Sequence, residues 1–126
     1  MPATVRVLIV DDQGPFRRAA LAVVAATPAF EAVAEAESGE DAVALATSLA
    51  PGLVLMDINM PGMDGIEASR RITAGLPGTV VVLLSTYQAD DLPAQAAACG
   101  AVGYVHKEDF GPAVLQDIWE RHGHAA

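Results

Sequence analysis

The chemistry-bearing residues of this chain follow directly on short apolar runs. Val5-Arg6-Val7-Leu8-Ile9-Val10 ends in Asp11-Asp12, and Leu53-Val54-Leu55-Met56 ends in Asp57. Residues 79–84 end in Ser85-Thr86, and Val102-Gly103-Tyr104-Val105 ends in His106-Lys107. Carboxylates gathered at one edge repel one another, so either their pKa values rise or a hard cation neutralises them. Mg2+ takes a few carboxylate oxygens together with waters and a substrate phosphate, which suits an open acidic cleft. A lysine opposite can hold a phosphate oxygen, and a serine hydroxyl can donate another hydrogen bond. An Asp carboxylate can also be the nucleophile in phosphoryl transfer, forming an aspartyl phosphate. Positioning and charge neutralisation then supply most of the rate. Taken singly, an acid at a strand end is an ordinary loop residue or helix cap. The weight lies in the set.

The runs that carry these residues read as strands. Continuous apolar stretches of this length suit strands buried on both faces, the habit of parallel sheets. Residues 30–36 alternate apolar positions with Glu31 and Glu35, which predicts an edge strand with one wet face. Helical spacing fills the gaps. Pro15 suits a first helical position ahead of Phe16, Ala20, Val23 and Val24, and residues 39–50 present Ala42, Val43, Ala46 and Leu49. Asp64 predicts a cap on a helix over 65–74, and Asp90 or Asp91 predicts one on an alanine-rich helix ending at Gly100. Residues 110–122 put Val114, Leu115, Ile118 and Trp119 on one face, as core contacts of a fifth helix. Strands alternating with helices predict an α/β fold: a doubly wound, five-stranded parallel sheet of flavodoxin-like order 2-1-3-4-5, helices on both faces. Its switch point lies between strands 1 and 3, where Asp11, Asp12 and Asp57 fall. No linker, repeat or low-complexity tract divides the chain, so one domain is expected over 1–126.

Composition removes whole classes of function. The chain has 126 residues, 52% of them hydrophobic, with a mean hydropathy of +0.35, so disorder is excluded as its main description. No apolar run approaches the ~18 residues of a membrane span, and no basic stretch precedes a long apolar core as in a secretory leader. Cys99 is the single cysteine and reads as a small core residue, so we expect a cytoplasmic protein without disulfides. Seven Lys and Arg against sixteen Asp and Glu give −9, which opposes attraction to phosphate backbones. Aromatics at 5% leave no base-stacking platform, so no direct nucleic-acid binding is expected. His122 and His124 sit two apart, off any common helix face, and read as tail residues rather than a metal site.

Asp11-Asp12, the stretch Asp57-Ile58-Asn59-Met60-Pro61-Gly62-Met63-Asp64-Gly65, Ser85-Thr86 and Gly103-Tyr104-Val105-His106-Lys107 resemble the receiver domain of two-component response regulators. The similarity covers nearly the whole chain, and the D-x-N-M-P-x-M-D-G stretch is highly specific. Asp12-Gln13 with Phe16-Arg17, and a lysine not followed by proline, is closest to the NarL/FixJ-type receivers. The resemblance implies that Asp57 accepts a phosphoryl group from a histidine kinase or phosphotransfer protein. It implies Mg2+ held by Asp12 and Asp57, with Asp11 as a direct or water-mediated partner and the main-chain carbonyl of Asn59 as a further ligand. Lys107 would pair with Asp57 or its phosphate, Ser85 would bond a phosphoryl oxygen, and Tyr104 would be the rotating aromatic of the switch. Output would run to a downstream protein or to self-association, through the face from strand 4 to helix 5. Such a module is not an enzyme beyond phosphotransfer and hydrolysis at its own Asp57.

The departures matter as well. Thr86 is bulkier than the small residue often found beside Ser85, and restricted access to the phosphate is one consequence. Glu108 replaces a common proline; a cis bond after Lys107 would then cost about 3–4 kcal/mol, so trans is expected. The chain stops after Arg121-His122-Gly123-His124 with no linker begun, which favours a stand-alone receiver over an excised domain. Three other functions compete. A dehalogenase-like phosphatase would want an acid two residues after Asp57, where Asn59 stands. A flavin or nucleotide binder would want a Ser/Thr/Gly-rich loop after strand 1, where Asp11-Asp12-Gln13 would repel phosphate. A phosphorylation-independent adaptor would not need the intact acids and lysine.

Overall fold

The computed structural model describes residues 4–86 and 94–123. Five parallel strands form one sheet in the order β2-β1-β3-β4-β5, as expected. They are β1 (Val5–Val10), β2 (Phe30–Ala36), β3 (Leu53–Asp57), β4 (Val80–Ser85) and β5 (Gly103–His106). Among the described residues four α-helices accompany them: α1 (Gly14–Ala26), α2 (Gly39–Leu49), α3 (Gly65–Gly75) and α4 (Pro112–His122).

The alternation of side chains along each strand builds two cores. Leu8, Val10, Val54, Met56, Val81 and Leu83 meet Ala42, Ala46, Ala68 and Ile72 of α2 and α3 on one face. Val7, Ile9, Leu55, Val82 and Leu84 meet Ala20, Val24, Leu115 and Ile118 of α1 and α4 on the other. Apart from Arg6 near the start of β1 and the polar residues Asp57 and Ser85 that end β3 and β4, the central strands are therefore apolar, because neither of their faces is wet. At the sheet edge β2 keeps Glu31 and Glu35 exposed, as its alternation predicts. Trp119 and Phe30 meet edge-on at 6.4 Å, and Cys99 is buried.

Local signals set the helix starts. Pro15 and Pro112 occupy first-turn positions, where no N–H is needed. The Ser38 hydroxyl accepts from the Asp41 N–H at 3.1 Å, and the Asp64 carboxylate accepts from the Glu67 N–H at 2.9 Å. One expected helix is corrected. Instead of an α-helix ending at Gly100, the chain forms a 3₁₀ helix over Ala94–Ala98. The expected caps Asp90 and Asp91 lie outside the described residues. Alanine has high helix propensity but brings little side chain to bury, and in proteins packing rather than propensity holds a short helix. No helix among the described residues is long and apolar enough to cross a membrane.

Candidate functional site

Sheet register brings the polar residues together. Val10 pairs with Met56, so Asp11 and Asp57 follow side by side across the β1–β3 boundary. Asp57 pairs with Leu84, and Ser85 pairs with His106, which Lys107 follows. The carboxyl ends of four adjacent strands thus converge at the switch point. Ligand oxygens of Asp11, Asp12 and Asp57 lie within 4.8 Å of one another.

Lys107 closes this acidic edge. Its Nζ donates to Asp11 Oδ2 at 2.6 Å and lies 3.2 Å from Asp57 Oδ1. The second Asp11 oxygen accepts from the Gln13 N–H at 2.8 Å. Asp11 is fully buried and Asp57 nearly so, whereas Asp12 is exposed. Burial pushes the Asp57 carboxyl up to about 6, and repulsion from Asp11 and then Asp12 adds to it, against the pull of Lys107. Burial works against the Lys107 charge, yet its bond to Asp11 and the charges of Asp57 and Asp11 together win and raise its pKa. Two buried acids against one lysine leave the edge short of positive charge, which is a demand for a cation. Mg2+ is a hard cation that takes carboxylate oxygens, and Asp11, Asp12 and Asp57 offer theirs within 4.8 Å of one another, so this donor set fits it.

The loop after β3 depends on one close approach. A Cβ built on Gly65 would overlap the Asp57 carbonyl oxygen, so only glycine lets α3 begin against the end of β3. The Gly65 N–H donates to the Ile58 carbonyl at 2.9 Å, and the Ile58 N–H to the Leu84 carbonyl at 3.1 Å. Asn59 follows, exposed in this loop. Ser85 is buried at the end of β4, and the Tyr104 hydroxyl donates to its carbonyl at 3.2 Å. Burial raises the Tyr104 pKa, and the charge of Asp109 adds to the rise, against a side-chain hydrogen bond with Ser85. Thr86 is exposed, and no cis peptide occurs among the described residues, so the bond after Lys107 is trans.

Some residues quoted in the motifs gain partners that the motifs do not state. Phe16 of α1 lies under the Lys107 ammonium, with Nζ 4.5 Å from the ring centroid, and neighbours Phe110 at 6.5 Å. Arg17 Nη1 donates to the Asp11 carbonyl at 2.8 Å, while its other nitrogens pair with Glu35 and Glu37 at 3.2 Å. His106 bonds the Thr86 carbonyl at 3.0 Å. Phe16-Arg17 belongs to the NarL/FixJ-type signature in the sequence, but only the packing of α1 against the sheet end gives these residues their partners.

Residues 7–119 match the response regulator receiver domain family. The chain is 35% identical over 114 residues to the transcriptional regulatory protein DegU of Brevibacillus brevis, covering 90% of this chain and 48% of that protein. It is 41% identical over 107 residues to protein-glutamate methylesterase/protein-glutamine glutaminase 4 of Myxococcus xanthus, covering 85% of this chain and 30% of the relative. The chain therefore spans half or less of the length of these curated relatives. The signal receiver domain of a putative NarL response regulator from Mycobacterium tuberculosis superposes with a TM-score of 0.86 at 28% identity, over 95% of this chain and 97% of that one. Sheet order, the acids at the switch point and these matches agree that the chain belongs to the receiver domain family of two-component response regulators.

Proposed function

We propose that this receiver accepts a phosphoryl group on Asp57 from a histidine kinase or phosphotransfer protein and then changes a protein-interaction face. The observation that carries the reading is the pairing at Asp57: a buried carboxylate of raised pKa, 3.2 Å from Lys107 Nζ and beside Asp11. An Asp57 oxygen attacks phosphorus in line, the bond from phosphorus to the donor's histidine nitrogen breaks, and an acyl phosphate remains. Lys107 pairs with the phosphoryl oxygens, and the Ser85 hydroxyl donates to one of them. Asp12, Asp57 and the Asn59 carbonyl would hold Mg2+, which would supply charge neutralisation to the transferring group. Asp11 already gives one oxygen to Lys107 and the other to the Gln13 N–H, which supports a water-mediated role for it. Chemistry stays at Asp57, with no external substrate. The partner downstream is a protein or a second copy, met on the face of β4, β5 and α4, and the net charge of −9 supports no direct nucleic-acid contact. A cytoplasmic location belongs to the same reading.

The deciding experiment is incubation with acetyl phosphate and Mg2+, followed by mass spectrometry. One phosphoryl group should appear on Asp57 and none on Asp57→Ala, whose fold stays intact because the side chain faces the cleft. Equal uptake by the variant means the wrong acid was chosen. Mg2+ alone should bind weakly and move the amide resonances of residues 11, 12 and 57; unchanged signals at millimolar metal would remove the metal assignment.

A further inference from the structure

Two side chains of β5 hold two consecutive carbonyls at the exit of β4. Tyr104 and His106 stand two apart on the strand, so they leave it on the same face. The Tyr104 hydroxyl donates to the Ser85 carbonyl, and His106 Nε2 lies 3.0 Å from the carbonyl of the next residue, Thr86. A carbonyl can only accept, so Nε2 carries the hydrogen. The other ring nitrogen is fixed separately: the Glu108 backbone N–H donates to Nδ1 at 3.2 Å and caps the turn Lys107–Asp109. One form alone satisfies both contacts, the neutral imidazole protonated on Nε2. His106 therefore ties the residue after Ser85 to the turn that begins with Lys107.

We propose that His106 is a positioning residue that latches the exit of β4 to the Lys107 turn and opposes the movement that follows phosphorylation. The inference rests on the reading of Asp57 as phosphoacceptor, with Ser85 and Lys107 closing on the phosphoryl group. When Ser85 moves toward that group, the peptide joining it to Thr86 moves too, and the Thr86 carbonyl leaves Nε2. A bond present in only one of two states favours that state and weakens any ligand that selects the other. The free latch nitrogen then has water to meet, because the contact lies at the exposed rim.

The test uses the full chain with beryllofluoride and Mg2+ as probe, read by NMR. In the wild type, imidazole 15N shifts should show the Nε2–H tautomer and should move when the probe binds. His106→Leu removes both ring contacts and should bind the probe about five-fold tighter, the order expected of one lost hydrogen bond. His106→Gln keeps a donor for the Thr86 carbonyl and should stay near the wild type. An Nδ1–H tautomer, ring signals that ignore a probe which moves the amides around Asp57, or unchanged or weaker binding by His106→Leu each overturns the proposal. Should His106→Leu fail to fold, the wild-type ring signals decide. If the probe leaves residues 11, 12 and 57 unmoved, the phosphoacceptor reading fails first and this one falls with it.

Discussion

Asp57 carries a charge that the fold resists. Burial is the main cause, Asp11 the second, and Lys107 offsets only part of it, so the carboxyl titrates near 6 instead of 3.8. For an acid whose pKa is higher folded than unfolded, the protonated form favours folding. That stabilisation is complete below the unfolded value and is lost as pH rises through about 6. Each unit of pKa shift corresponds to 1.36 kcal/mol, so the charged carboxylate destabilises the metal-free fold by on the order of 2–3 kcal/mol at pH 7.5. Asp57→Asn keeps the shape and removes the charge. It should raise the denaturation midpoint at pH 7.5 in EDTA, and the difference from wild type should shrink steeply by pH 4 and vanish below the unfolded value of 3.8. Urea unfolding at both pH values checks this; a variant less stable than wild type at pH 7.5 would mean that the Lys107 pair outweighs burial.

At the level of elements, the loop from β3 into α3 sets where that carboxylate sits. Gly65 starts α3 directly against the Asp57 carbonyl, and its N–H closes the loop on Ile58. Gly65→Ala forces α3 or the end of β3 to move, an overpacking change of about 1–3 kcal/mol. We expect a lower urea midpoint together with weakened Mg2+-induced shifts at residues 11, 12 and 57; unaltered metal response would detach the loop from the site. Such a role is only half legible in sequence. In sequence Gly65 is only the last residue of the motif after Asp57, because the clash depends on strand and helix meeting in space. The strands are legible for the opposite reason: burial on both faces leaves uninterrupted apolar runs such as residues 53–56 and 80–84, each followed by a polar residue. The alanine-rich segment misled, since small side chains satisfy a helical pattern without supplying the contacts that hold a helix; among its described residues Ala94–Ala98 form a 3₁₀ helix. The acids, Ser85 and Lys107 were legible from strand ends, whereas Phe16, Arg17 and His106 act through partners far away in sequence.

Across the whole molecule, phosphorylation has to be felt beyond the acidic edge to be a signal. A phosphoryl group adds a charge of about −1.5 to −2 and new acceptor oxygens to a chain already at −9. The donors proposed for it, Ser85 and Lys107, sit at the ends of β4 and β5, so the added charge pulls on those strands and not on β2. Tyr104 packs partly buried beside the α2–α3 core and bonds the Ser85 carbonyl, which couples it to any shift of Ser85. Among the described side chains, the neighbouring 3₁₀ helix buries Ala96 and is followed by buried Cys99, both small groups that offer little packing to resist. Moving an equilibrium from 1:99 to 99:1 takes about 5.5 kcal/mol of differential affinity. Charge-assisted hydrogen bonds from a lysine and a serine, at roughly 1.5–3 kcal/mol each, reach that order. Hydrogen exchange with and without beryllofluoride and Mg2+ should therefore change at residues 84–86 and 94–107 as well as at the acids. Changes confined to residues 11–65 would show that the signal leaves by another face.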